Sequence, residues 1–270
     1  MSRKAPPDKG IYLGTLFGKN VPREEMFAYD QFKELHSLLA LTVQQRSMSL
    51  VTGQAGVGKT TGVRSFVDEL PTNKYQIIYA GQDHDGGNLS RRLASSLGIQ
   101  PKHFRSHTWL AISQHLADNL IEQGKELVLV MDEAHLLDDR TLEEIRLLTN
   151  NDFDRNSALT VIMVGQLSLR SRLKQTGFEA LNQRLRFRYA LEGFSADETA
   201  DYIKVRLRSA DLDDDFFSAD SIKAIFLAAQ GIPREINNIC TSALLKAQSL
   251  AANKVDAKIV RAVLDQREIN

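Results

Sequence analysis

Gly53-Gln54-Ala55-Gly56-Val57-Gly58-Lys59-Thr60 is a complete G-x-x-x-x-G-K-T run. Residue types at this spacing suit one task, the holding of a polyphosphate. The glycines let the backbone curl so that successive N–H groups face phosphate oxygens. The following helix N-terminus adds partial positive charge, Lys59 reaches the β and γ oxygens, and the Thr60 hydroxyl is the kind of hard oxygen that Mg²⁺ takes. Gly53 to Thr61 are therefore the candidate binding residues for ATP. A second run, Leu127-Val128-Leu129-Val130-Met131-Asp132-Glu133, ends an apolar stretch in two carboxylates. In the company of a phosphate loop, Asp132 is expected to hold Mg²⁺ through water and Glu133 to polarise an attacking water, since phosphoryl transfer needs positioning and charge stabilisation more than covalent chemistry.

Three further groups have the right chemistry for the same site. Gln166 follows the apolar run Thr160 to Val164 and offers an amide to a γ-phosphate or a water. Arg184, Arg186 and Arg188 alternate in Gln183 to Tyr189, so a strand there would put them on one face. Buried on a parallel strand they need phosphate, carboxylate or solvent; a solvated strand end and a finger reaching the nucleotide of a neighbouring subunit both satisfy that need. Arg234 falls in the first turn of a helix opened by Gly231-Ile232-Pro233, where its charge opposes the helix dipole unless an anion lies nearby. His135 reads as a packing residue or one that supports the site residues from behind. The other histidines, among them His84, His103, His107 and His115, lack cysteine or carboxylate partners at metal spacing, so no transition-metal site is expected. The run Asp132-Glu133-Ala134-His135 also spells a helicase box, but such helicases need a second strand-bearing domain.

These residues require a parallel sheet. Short apolar runs at Met48 to Thr52, Tyr75 to Ala80, Leu127 to Met131, Leu159 to Val164 and Leu185 to Leu191 alternate with amphipathic stretches, which predicts strands joined by crossover helices. Leu142, Ile145 and Leu148 share one face of a helix. After Leu191 strand signals stop. Ser195 and Glu198 form a capping box opening a helix to about Ala210, and further helices are predicted over Ala219 to Gln230, Pro233 to Leu250 and Asp256 to Gln266. The expected fold class is α/β, a P-loop domain with five parallel strands over 23–192 and a helical lid over 193–270, preceded by an extended arm over 1–22.

The chain has 270 residues, 43% hydrophobic and 25% charged, the balance of a folded globular protein. No apolar run approaches the roughly 18 residues of a membrane span, and the N-terminus has no secretory pattern. A cytoplasmic location is expected, and the single cysteine, Cys240, suits a reducing compartment. Lys and Arg together number 34, as do Asp and Glu, so any anion-binding surface must be local. Arg170 to Arg188 is strongly basic.

Together GQAGVGKT, LVLVMDEAHLL, IMVGQ, QRLRFRY and GIPREINNIC resemble the AAA+ ATPases of the ExeA-like group over about residues 11 to 266. That group includes secretion-pathway ATPases and the transposon-associated ATPases related to TnsC and the Mu target-selection protein. The resemblance implies an ATPase in which Gln166 matches sensor one, Arg184 or Arg188 the arginine finger, and Arg234 sensor two. Secretion-type members are longer and carry a membrane span, so the transposon type is the expectation. It implies a homo-oligomeric ring or filament on DNA that recruits a transposase or another transposition protein and regulates target selection. The alternative is an ATPase acting on a protein partner such as a secretion or assembly factor. Candidate DNA contacts are Lys102, His103 and Arg105, with Arg91 and Arg92 nearby.

Overall fold

The computed structural model describes residues 16–18, 26–80, 89–149 and 159–268. Most of the arm over 1–22, and His84, lie outside them. The chain divides into two compact units: Asp30–Ala55 with Lys59–Leu191, and Glu192 onward together with the residues before Asp30 and Gly56–Gly58.

The first unit runs α1 (Asp30–Gln44), β1 (Met48–Gly53), α2 (Lys59–Val67), β2 (Tyr75–Ala80), α3 (Leu89–Ser96), α4 (Arg105–Gln123), β3 (Glu126–Met131), a single 3₁₀ turn (Ala134–Leu136), α5 (Asp139–Leu148), β4 (Leu159–Gly165), α6 (Leu167–Arg172), α7 (Glu179–Arg184) and β5 (Leu185–Leu191). All five strands are parallel, in the order β2-β3-β4-β1-β5. The three inner strands β1, β3 and β4 are buried along their whole length, and for that reason their sequences are almost continuously apolar. Alternate residues feed opposite faces. Leu127, Leu129, Met131, Val161 and Met163 pack with Leu93, Ile112, Leu142 and Ile145. Val128, Val130, Ile162 and Val164 pack with Leu35, Leu39, Val43, Val63 and Phe66. Burial on both faces of this kind fixes the register, because a one-residue slip would exchange every side chain between faces.

The register brings Met131 opposite Met163 and Thr52 opposite Gly165, so β1, β3 and β4 end together. Whatever follows them, Gln54 onward, Asp132 onward and Gln166, emerges at the carboxyl end of the sheet, where open parallel sheets bind their ligands.

The second unit contains α8 (Ala196–Arg208), α9 (Ala219–Ala229), α10 (Pro233–Ser249) and α11 (Ala257–Glu268). α8 begins with the capping box: the Ser195 hydroxyl accepts from the Glu198 N–H at 3.1 Å, and the Glu198 carboxylate accepts from the Ser195 N–H at 2.8 Å. Its core includes Ile203, Leu207, Ile225, Ile236, Ile239, Cys240, Ala243 and Val260, with Phe27, Tyr29, Phe194 and Tyr202 in an aromatic cluster beside it. Burial, with the Glu198 charge second, pushes the Tyr29 hydroxyl up to about 12, and burial raises the Cys240 thiol well above its ordinary range. Gly231, at φ +72, lies so close to the Phe194 backbone that a Cβ would sit 2.0 Å from the Phe194 carbonyl oxygen. Only glycine fits there. Among the described residues no helix is long and apolar enough to cross a membrane.

Candidate nucleotide-binding site

The loop between β1 and α2 is bent at Gly56 (φ +82) and Gly58 (φ +102), a backbone region that residues with a Cβ rarely adopt. Gly56 is constrained twice. Its carbonyl accepts from the Arg234 N–H at 3.3 Å, and a Cβ on Gly56 would approach the Arg234 Cβ to 2.8 Å. The Arg234 side chain is exposed in the first turn of α10. Gln54, Ala55, Thr60 and Thr61 are exposed, whereas Val57 and Lys59 are buried. Lys59 opens α2 and donates its ammonium hydrogens to the carbonyls of Gly53 at 3.0 Å and Gln54 at 2.8 Å. The ammonium is thereby held against its own loop, with 8% of the residue accessible.

Thr60 Oγ1 donates to Asp132 Oδ2 at 2.8 Å. A hydroxyl and a carboxylate at this distance are both hard oxygen donors of the type Mg²⁺ prefers. That fits a magnesium ion shared with phosphate oxygens and water. When bound, Mg²⁺ would neutralise charge developing on those oxygens. The second carboxylate oxygen of Asp132 accepts from the Glu133 N–H at 2.8 Å, which leaves Asp132 oriented by the chain that follows it. Glu133 is in the left-handed region at φ +53, a conformation uncommon for residues other than glycine, asparagine and aspartate. Its side chain is 37% exposed, with His135 Nδ1 3.4 Å from Oε2.

Gln166 occupies the N-cap position of α6, and its side chain is exposed and makes no capping bond. Gly165 before it is buried; a Cβ there would meet Leu169 Cδ2 at 2.9 Å and the His135 backbone nitrogen at 3.3 Å. The turn after Asp132 thus packs directly over the end of β4, and Glu133 and Gln166 come from adjacent strand ends. The expected group of Lys59, Thr60, Asp132, Glu133 and Gln166 is in this way assembled by one end of one sheet.

The arginines of the QRLRFRY run depart from expectation. Arg184 is the last residue of α7 and not part of a strand, and its Nη1 donates to the Thr149 carbonyl at 3.0 Å. Arg186 falls in a register shift, since Met48 pairs with Leu185 and Ser49 with Phe187. The alternation therefore does not hold across the three. A helix runs straight into the strand, and a period-two pattern cannot show that junction. β5 is also an outer strand, so Arg186 and Arg188 are exposed and the burial cost argued from sequence does not arise. Arg188 donates to the Asn182 side-chain oxygen at 2.9 Å and to the Asn182 carbonyl.

Of the residues put forward for DNA, Lys102 and His103 are exposed, and Arg91 is exposed with Arg92 half-buried. Arg105 is turned inward. It pairs with Glu144 at 2.7 Å and donates to Thr141 Oγ1 at 3.0 Å, with its side chain 17% accessible. Glu144, which also accepts from the Trp109 indole at 2.7 Å, gave no sign of this in the sequence because α4 and α5 meet only in three dimensions. Asp138 caps α5 by accepting from the Thr141 N–H, and hydrogen-bonding with Thr141, its side chain first and its N–H after, holds the Asp138 carboxyl below the usual range.

Residues 42–173 match the family model described as an AAA domain. General secretion pathway protein A of Aeromonas hydrophila is 31% identical over 208 residues, which is 76% of this chain and 38% of that protein. The chain thus spans less than half the length of that relative. Among solved structures, the fold is shared with the ORC2 protein of Aeropyrum pernix in its ADPNP–ADP complexes (TM-score 0.68, 13% identity, 93% of this chain and 71% of that one). It is shared with Drosophila ORC bound to DNA (0.67, 18%, 98% and 68%) and with the RuvB Holliday junction branch migration motor of Thermotoga maritima (0.56, 18%, 93% and 72%).

Proposed function

We propose that this chain, whose fold is that of the P-loop AAA+ ATPases with a five-stranded parallel sheet followed by helices, hydrolyses ATP to change the state of a protein partner, as a secretion or assembly factor would. The observation that carries the ATPase part is the meeting of Thr60 and Asp132 with Glu133 beside them. In this reading Lys59 leaves the carbonyls of its own loop for the β and γ oxygens, Thr60 and, through water, Asp132 would hold Mg²⁺, Glu133 accepts the proton of the attacking water, and Gln166 orients that water or the γ-phosphate. Arg184 or Arg188 serves the nucleotide of a neighbouring subunit in a ring or filament, and Arg234 serves the nucleotide of its own. The protein-directed part rests on the similarity to a secretion-pathway protein.

The second reading is regulation of transposition by ATP-dependent assembly on DNA, with target selection and transposase recruitment. The exposed Lys102 and His103 favour it; the engagement of Arg105 with Glu144 weakens it. DNA retention decides between the two. Duplex DNA is titrated with and without a slowly hydrolysed ATP analogue at two salt concentrations. The protein-directed reading expects no retention in any nucleotide state. Retention that requires the analogue and falls steeply with salt, at a slope of about 0.9 per neutralised phosphate, would overturn it in favour of DNA.

A further inference from the structure

We infer that His135 and Arg172 together are positioning residues for Glu133: His135 steadies the carboxylate and Arg172 fixes the backbone turn from which both side chains project. The inference rests on the reading of Glu133 as the group that accepts the water proton.

The first observation concerns the carboxylate. Glu133 is the N-cap of the 3₁₀ turn Ala134–Leu136, yet its side chain makes no capping bond. Its left-handed backbone instead leaves Oε2 3.4 Å from His135 Nδ1. That nitrogen is buried without a hydrogen bond, in a side chain 11% accessible. A buried ring N–H without an acceptor is unfavourable, and the Glu133 oxygen at 3.4 Å is placed to supply one. In the tautomer with the proton on Nδ1, His135 then donates to Oε2, and Oε1 is left to accept the proton of the attacking water.

The second observation concerns the turn. A 3₁₀ turn of three residues has few internal bonds, and Arg172 holds it from outside. Its Nη1 donates to the Leu137 carbonyl at 2.7 Å and reaches the His135 carbonyl at 3.5 Å, its Nη2 pairs with Asp139, and its guanidinium carbon lies 5.5 Å from the centre of the Phe178 ring. A planar fork can span several carbonyls and stack on a ring at once; an ammonium group cannot. From sequence, Arg172 reads only as one charge in a basic stretch.

The third observation ties the pair to the rest of the site. Arg172 ends α6, the helix that begins directly after Gln166, and the absence of a side chain at Gly165 lets the His135 backbone lie over the end of β4. One short helix therefore has the exposed Gln166 at its start and the clamp on the Glu133 turn at its end. A shift of α6 moves both.

The test compares His135→Ala, His135→Asn, His135→Gln, Arg172→Ala, Arg172→Lys and the double alanine variant with the unaltered protein and Glu133→Gln. It reads the hydrolysis rate at saturating ATP, the affinity for a fluorescent ATP analogue, and the melting temperature. His135→Ala is expected to lower the rate roughly 10-fold or more at unchanged nucleotide affinity, in line with other residues that orient a reactive group. His135→Asn, whose amide nitrogen stands where Nδ1 does, is expected to recover most of that loss, and His135→Gln, whose nitrogen lies one carbon further out, is not. Arg172→Ala should match the loss, Arg172→Lys should not repair it, and the double variant should be no slower than the slower single one.

An unimpaired His135→Ala, an Asn variant as slow as the Ala variant with both folded, additive losses in the double variant, or losses that follow affinity and melting temperature would each overturn the inference. Glu133→Gln separates the two levels. If it hydrolyses ATP normally, the role of Glu133 itself is wrong. If it is slow while His135→Ala is not, only the positioning role falls.

Discussion

Thr60 and Asp132 are 72 positions apart in the chain and hydrogen-bonded in the fold, and two sharply different losses follow from their neighbours. Glu133→Gln keeps the shape and leaves Asp132 charged, so nucleotide binding should survive while turnover falls about 100- to 10,000-fold, the usual worth of a positioned proton acceptor. Steady-state hydrolysis beside a binding titration checks this, and an unaltered rate would remove Glu133 from the mechanism. Lys59→Ala should weaken ATP binding itself about 10- to 100-fold, the worth of charge-assisted hydrogen bonds to phosphate. At this scale the sequence is most legible where a motif fixes local geometry. Gly56 and Gly58 are glycines because their φ values demand it, and the Lys59 and Thr60 side chains follow from the helix that begins there. It is least legible for long side chains whose partners come from elsewhere. Arg105 looks like a free surface cation until Glu144 arrives from another helix, and Arg172 looks like one until the Leu137 carbonyl does.

The capping box at the start of α8 offers a measure of how much one element end contributes. Ser195→Ala removes the acceptor for the Glu198 N–H and should cost about 1 kcal/mol. Glu198→Gln should cost less, because an amide oxygen can still accept from the Ser195 N–H. Equilibrium urea unfolding measures both, and a silent Ser195→Ala would mean that the helix start is held by other contacts. All five strands and the four helices after Leu191 were legible to within about two residues, since long periodic or fully apolar segments announce themselves. α1 was not. Leu38 to Val43 is nearly unbroken in apolar character, which hides the helical period, and only the face of the sheet selects Leu35, Leu39 and Val43 for burial. α6 and α7 have six residues each, fewer than two turns, too few for a period to appear.

For the whole molecule, equal numbers of acidic and basic residues leave one subunit no net field with which to attract a polyanion, and the proposed arginine finger could act only in an assembly. Arg188→Ala and Arg184→Ala, tested separately, should each show whether that arginine is needed for turnover. The one that is needed should regain activity when mixed with Lys59→Ala, because each subunit then supplies what the other lacks across the boundary. Failure to complement at every ratio, with both proteins folded, would leave that arginine a structural role such as its bond to Thr149 or Asn182. The outer strand β5 has a bearing on how such an assembly could grow. A flat unpaired strand invites a foreign strand alongside it and, with it, open-ended aggregation. β5 carries an irregularity at Arg186 and shows two guanidinium groups to solvent. Adding a strand across that edge would strip water from both charges and break the pairing register at its first residues. Such an edge resists continuation of the sheet on that side, so in the proposed assembly subunits meeting there would do so through side chains rather than through a shared sheet.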